Sequence, residues 1–440
     1  MRLLRYYSIL PKPNLEIRSI ITNKDAYKDS ILKRETKNLL HNLETVASQR
    51  PQELELIARL NSLKHKRAQI TKSITPENKQ TVLPQLADIK KSIKSLEPKV
   101  DELSATVLAN AEALPNLIDP SVKSHQQVVE YLNVLETEIP SPLPEDDETL
   151  RVFDHKTIGE RKGIFEFAKA SKISGSSWYY LVGDGALLEN ALVQYALAQA
   201  THHHYQFVIP PTIVKNEVIK ACGFKPKDQH NEQQIYEISD SDSSLIGTCE
   251  IPLAGYHANI NFQVSEQFPK KYVGLSRSFR AEAGSRGRDT KGLYRVHEFT
   301  KLELFHYTTP ESSALELEQL MEFQKSLIKN LGLKAKVINI PYNDLGAPAY
   351  KKYDIEAWMP GRNSWGELTS SSNCTDYQSR RLNIRYFDQE KNLKYVHTLN
   401  GTAMAVPRVI VAIVEQNYDP VTDQIKIPDV LVPLMGKKYI

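Results

Sequence analysis

Two heptad seams flank a short turn signal, and no other feature of the chain restricts its fold as tightly. Apolar residues fall at Leu56, Leu60, Leu63, Ile70 and Ile74, and with Arg67 included the spacing alternates four and three. Thr75-Pro76-Glu77-Asn78 reads as a turn. A second seam follows at Leu86, Ile89, Ile93, Leu96, Val100, Leu103 and Val107. Two such stripes across a short turn predict an antiparallel helical hairpin. Pro51 is tolerated in a first turn, so the first helix is expected over 51–74, about 36 Å of rod. Few residues could bury that rod, so it should project as an arm. Pro98 is expected to kink the second helix, and Ala113-Leu114-Pro115-Asn116 to end it.

The outer part of the hairpin is basic. Between 61 and 96 stand Lys64, Lys66, Arg67, Lys72, Lys79, Lys90, Lys91 and Lys94, against only Glu77 and Asp88. The whole chain carries a formal charge of only +3, so the imbalance is local. Such a patch suits a phosphate backbone, and a helix of RNA is recognised largely by its shape. A solvated coiled coil without a nucleic-acid partner is the alternative.

At 440 residues the chain suits about two or three domains. No run approaches the roughly 18 apolar residues of a membrane helix, so no membrane partner is expected. Cys222, Cys249 and Cys374 fit no zinc spacing and read as reduced thiols. Arg2, Arg5 and Lys12 precede the first acid, Glu16, which is the composition of a mitochondrial transit peptide. The expected organisation is a leader over 1–23 and the arm domain over 24–115. A proline- and acid-rich linker over 116–150 and an α+β domain over 151–440 follow. In the last, strand-like runs occur at 206–209, 272–279, 295–307, 333–340 and 353–358, and amphipathic helices at 185–200 and 407–416.

The segment 295–305 carries the chemistry. Alternation on a strand would place Phe299, Lys301 and Glu303 on one face with Arg295 and His297, and Leu302 and Leu304 in a core. Arg280 and Glu282 alternate in the same way after Ser278. Between the two runs lies a loop with Gly284, Arg286, Gly287, Arg288, Lys291 and Gly292, long for a hairpin and suited to phosphate.

Phe279-Arg280-Ala281-Glu282-Ala283-Gly284, continued at His297-Glu298-Phe299-Thr300-Lys301-Leu302-Glu303, resembles motif 2 of the class II aminoacyl-tRNA synthetases in their seryl-tRNA synthetase form. Leu399-Asn400-Gly401-Thr402-Ala403-Met404-Ala405-Val406-Pro407-Arg408 resembles motif 3 of that family. Thr248-Cys249-Glu250 is similar to its serine-binding loop, and Glu367-Leu368-Thr369-Ser370-Ser371-Ser372-Asn373-Cys374 to its nucleotide- and metal-binding segment. The family resemblance spans roughly 24–440 and implies an antiparallel-sheet catalytic domain behind a helical-hairpin arm.

It further implies activation of L-serine by ATP with Mg²⁺ and transfer to tRNA(Ser) by a homodimer in the mitochondrial matrix. Arg280, Arg408 and Glu367 would be catalytic. Thr248, Cys249, Glu250, Arg280, Glu303, Asn400 and Thr402 would bind serine. Arg280, Ala281, Glu282, Val296, Phe299, Glu367, Leu368, Thr369, Ser370 and Arg408 would bind ATP, with Phe299 stacked on adenine. Glu367 and Ser370 would hold the metal. Lys64, Lys66, Arg67, Lys72, Lys90, Lys91 and Lys94 on the arm, with Arg286 and Arg288 in the loop, would bind tRNA. Which carboxylate takes the serine hydroxyl and which its ammonium stays open. Cys249 stands where the family usually has alanine, Ala281 replaces a common serine, and 369–372 departs from the usual pattern. The competing readings are a non-catalytic RNA-binding paralogue and an amino acid:carrier-protein ligase. The arm argues against the ligase, and the intact set Arg280, Glu303, Glu367, Thr402 and Arg408 against the paralogue.

Overall fold

A computed structural model describes residues 10–139, 142–144, 147–226, 232–282 and 291–440. The chain forms two compact units, Asn14–Leu117 and one built on Ile118–Ile440. The expected leader falls partly outside the described residues, and Ile17–Thr22 within it is a short helix. No helix among the described residues is long and apolar enough to cross a membrane.

In the smaller unit, helix α1 (Leu40–Lys72) pairs with helix α2 (Lys79–Glu112). Leu60, Ile89, Ile93, Leu96 and Val100 bury one another, with Leu56, Ile57, Leu63 and Ile70 at their flanks, as the heptads require. Arg67 is exposed, because a long cationic side chain reaches water from a seam position. Pro51 lies inside α1 rather than at its start, and α2 runs on through Pro84 and Pro98. All three prolines are exposed, so water can replace the hydrogen bonds they remove. The turn is built by Asn78, whose side chain accepts from the Thr75 amide (2.8 Å) and donates to the Ser73 carbonyl (2.8 Å).

Polar contacts lock the base of the hairpin. Buried Glu53 accepts from Ser104 (2.7 Å) and pairs with Arg50 (2.7 Å). Asn42 donates to Asn110 (2.9 Å). Such pairs are satisfied in one alignment only, which fixes the register of the two helices. Buried Arg34 donates to the carbonyls of Asn116 and Leu117 (3.3 Å each), fastening the chain where it leaves α2.

The larger unit is organised on an eight-stranded sheet. Its strands are β1 (Gln127–Leu132), β2 (Gln206–Val208), β3 (Lys270–Phe279), β4 (Glu298–Thr308), β5 (Ala335–Asn339), β6 (Lys351–Met359), β7 (Ser364–Asn373) and β8 (His397–Ala405). The order is β1-β5-β6-β7-β8-β4-β3-β2, antiparallel except for β2 with β3. The segment 116–150, expected as linker, supplies the edge strand β1. Strands β7 and β8 escape a search for alternation because small residues, serine, threonine, glycine and alanine, make up most of each.

Helices α3 (Asp184–His202), α5 (Ser313–Asn330) and α6 (Val406–Asn417) pack on the sheet around one core that includes Leu302 and Leu304. The alternate residues Phe305 and Tyr307 enter a second core with Ile251 and Leu253 of the short helix α4 (Glu250–Gly255). Lys301 and Glu303 share that second face. Gly274 of β3, opposite Glu303, must be glycine, since a Cβ there would lie 2.3 Å from the Cys249 sulfur.

Candidate active site

Strand β4 sets Phe299, Lys301 and Glu303 on one face, as alternation predicts. Two expectations beside it change. The strand begins at Glu298, so Arg295 and His297 precede it, and β3 ends at Phe279, so Arg280 and Glu282 follow it. The backbone nonetheless stays ordered, because the Arg280 amide donates to the His297 carbonyl (2.9 Å). Glu282 then takes a left-handed φ of 46° and pairs with Arg295 (3.2 Å).

Two cavities meet above this face. The first is lined by Tyr294, Val296, Phe299, Glu367, Leu368 and Arg408, with Glu282 and Thr402. The second is lined by Thr248, Glu250, Glu303, Lys352, Cys374 and Asn400. Arg280, Glu282, Arg295, Lys301 and Ser370 line both. Arg280 is anchored by its Nε, which donates to the Gly247 carbonyl (3.2 Å), and its guanidinium lies 5.3 Å from the centre of the Phe299 ring. Burial and the like charge of Arg408 lower its pKa, yet an arginine remains charged.

The second cavity is a lattice of buried carboxylates. Glu303 accepts from Thr248 (3.0 Å) and pairs closely with Lys301, which also donates to Thr248 (3.1 Å). Burial pushes the Glu303 carboxyl up, against the opposing pull of Lys301. Glu250 accepts from Gln378 (2.7 Å) and Asn400 (2.9 Å). Two amides, and no ion-paired cation among the described residues, leave it poorly compensated, so burial, with the charge of Glu303, outweighs the pull of Lys301 and Arg280 and raises its pKa to about 7. The Cys249 side chain takes no part in this lattice, because its sulfur lies over Gly274 in the core.

A β-bulge explains how Glu367 and Ser370 reach the same cavity. Residues an odd number apart on a regular strand face opposite ways. Ile355 pairs with Thr369 but Glu356 pairs with Glu367, so Leu368 is the extra residue and the alternation shifts. Thr369 turns into the protein and is fully buried, and Ala281 lines neither cavity. Burial alone would raise the Glu367 pKa, but Arg408 (3.2 Å), Lys352 and Arg280 outweigh it and lower it. Asp354, opposite Ser370 on β6, is buried and raised in pKa, and one of its oxygens has no hydrogen-bond partner among the described residues. Glu367 and Ser370, which line the first cavity together, are oxygen donors of the kind a hard divalent cation takes.

Several contributors carry no local sequence signal. Gln324 of α5 donates to the carbonyls of both Ser370 (2.8 Å) and Thr402 (2.9 Å), bridging two strands from beneath. Arg362 lies 3.6 Å from the Tyr294 ring centre, and Arg408 4.8 Å from it. Their roles depend on contacts between distant segments. Arg286 and Arg288 lie outside the described residues. On the arm, Lys66, Arg67, Lys72, Lys90, Lys91 and Lys94 are exposed, while Lys64 is paired with Glu97 (2.8 Å).

Residues 237–417 match the family model for the tRNA synthetase class II core domain of the G, H, P, S and T enzymes. The mitochondrial serine–tRNA ligase of Saccharomyces cerevisiae is 45% identical over 442 residues, covering 98% of this chain and 97% of its own. That of Schizosaccharomyces pombe is 37% identical, covering 97% of this chain and 89% of its own. The crystal structure of seryl-tRNA synthetase from Pyrococcus horikoshii complexed with ATP superposes with a TM-score of 0.84 at 33% identity, covering 96% of this chain and 98% of that one.

The raised Glu250 pKa has a defined sign. The fold favours the protonated form, so its contribution to stability is complete below about 4.5 and is lost as pH rises towards about 7. Replacing Glu250 with glutamine should remove a loss on the order of 3 kcal/mol across that window. Denaturant unfolding of ligand-free wild type and E250Q on either side of it measures the difference. A gap between the two proteins that does not vary with pH would contradict a burial-raised carboxyl.

Proposed function

Because this chain belongs to the class II seryl-tRNA synthetases, we propose a division of labour among its residues for joining L-serine to tRNA(Ser) at the expense of ATP. The observation that carries it is Arg280, which lines both cavities at once. In the first step a serine carboxylate oxygen attacks the α-phosphorus of ATP and pyrophosphate leaves. A guanidinium at the junction can bind carboxylate and α-phosphate together, positioning them and offsetting the charge that builds between them.

The first cavity then holds the nucleotide. Phe299 stacks on adenine, Val296 lines the base pocket and Glu282 accepts from the adenine amino group. Arg408 holds the terminal phosphate. Glu367 and Ser370 would hold Mg²⁺, which would supply positive charge against the phosphates. The second cavity holds serine. Thr248, Glu303 and Glu250 surround its polar groups, Thr402 faces them from the adjoining first cavity, and Asn400 orients Glu250. A ligand lacking the hydroxyl would leave one of these buried groups unpaired. In the second step the seryl group passes to the tRNA end, for which Arg286 and Arg288 supply cations.

Purified protein should catalyse serine-dependent exchange of pyrophosphate into ATP, and Arg280→Ala should lower kcat/KM by at least about 100-fold. Exchange driven by another amino acid but not by serine would overturn the substrate.

The exposed arm cations are the proposed grip on tRNA(Ser). Changing Lys90, Lys91 and Lys94 together to alanine should raise KM for tRNA several-fold and flatten its salt dependence, with exchange unaffected. Unchanged charging at moderate salt would remove the arm from the binding surface.

Two of the relatives are mitochondrial forms, which together with the basic start of the chain supports the mitochondrial matrix, testable with a reporter fused to residues 1–25. Exposed Phe207, Ile209 and Ile213, at and just beyond edge strand β2, support a homodimer, testable by mass in solution.

A further inference from the structure

We propose that His155 and Glu415 are positioning residues for the nucleotide side of the site, an inference that rests on the first cavity holding ATP. Both are buried. The Leu293 amide donates to His155 Nε2 (3.1 Å), so that nitrogen is an acceptor. The proton of the neutral ring is therefore on Nδ1, which donates to Glu415 Oε1 (2.6 Å). The other Glu415 oxygen accepts from the amides of Gly361 (2.8 Å) and Arg362 (3.2 Å).

Two segments far apart in sequence are thereby held to one point. The first re-enters the described chain after the loop between β3 and β4, and Tyr294 follows Leu293 on it. The second is the turn that carries Arg362. The two meet where the Arg362 guanidinium lies over the Tyr294 ring (3.6 Å). Tyr294 in turn accepts from the Glu367 amide through its hydroxyl (3.1 Å) and from Arg408 Nε through its carbonyl (3.4 Å). Displacing Leu293 therefore moves the backing of both Glu367 and Arg408.

The approach is close. A Cβ on Gly292, which has a φ of +70°, would lie 2.1 Å from His155 Nε2. A metal is not needed to explain the cluster of Asp154, His155 and Glu415. Both His155 nitrogens and both Glu415 oxygens have protein partners, and Asp154 caps its helix through the Thr157 amide (3.0 Å).

The test compares wild type with His155→Ala, the isosteric Glu415→Gln and Gly292→Ala. ATP affinity is measured by direct binding, KM for ATP and for serine by pyrophosphate exchange, and folding by Tm. The expected result is a rise of about 10- to 100-fold in Kd and KM for ATP, with KM for serine within about twofold of wild type. Exogenous imidazole should restore ATP affinity to His155→Gly. Lowered Tm with unchanged ATP affinity would reduce the pair to a structural contact, and equal rises in both KM values would also overturn the proposal. Absence of ATP binding by wild type would instead sink the functional reading on which it rests.

Discussion

Strands β7 and β8 share ladder hydrogen bonds only where 371–373 face 399–401. Beyond Gly401 and Ser371 the two strands part, and that parting makes room for a ligand in the middle of an otherwise continuous sheet. An opened sheet leaves carbonyls without partners, which is costly where water is excluded. Gln324 meets the cost by donating to Ser370 and Thr402 from helix α5. The gap can then stay open without a ligand, with Ser370 and Thr402 at its rim.

Charge compensation is the second condition on this centre. Arg280, Lys301 and Arg408 face Glu303 and Glu367, and each carboxylate has a cation near it. Glu250 is the exception, hydrogen-bonded by two amides and ion-paired to no cation among the described residues. Buried carboxylates without a cation are destabilising until one arrives. An ammonium group entering the second cavity would supply the missing charge, so the site is prepared for a zwitterion rather than a neutral molecule.

Much of this was legible in the sequence where a signal repeats or alternates. The heptads located the hairpin, and period two placed Phe299, Lys301 and Glu303 together. Both signals fail at the site itself. The bulge at Leu368 breaks the alternation that would separate Glu367 from Ser370, and positive φ at Glu282 ends the strand geometry expected there. Strands β7 and β8 give up apolar residues in order to line cavities, so they look like loops. Gln324, Arg362, His155 and Glu415 could not be found by spacing, because their partners lie on segments that only the tertiary fold brings together. The family resemblance pointed to most of the residues that line the two cavities but not to those that support them.

The polar locks of the hairpin sit at one end of it. Asn42 with Asn110 and Glu53 with Ser104 fix the base, whereas the seam from Leu56 to Ile70 is a heptad repeat, apolar except at Arg67. A repeat has no preferred length. Adding one heptad to each helix would extend the rod by about 10 Å and leave every contact at the base as it was. The arm is thus free to change its reach in whole heptads during evolution without disturbing the packing at its own base.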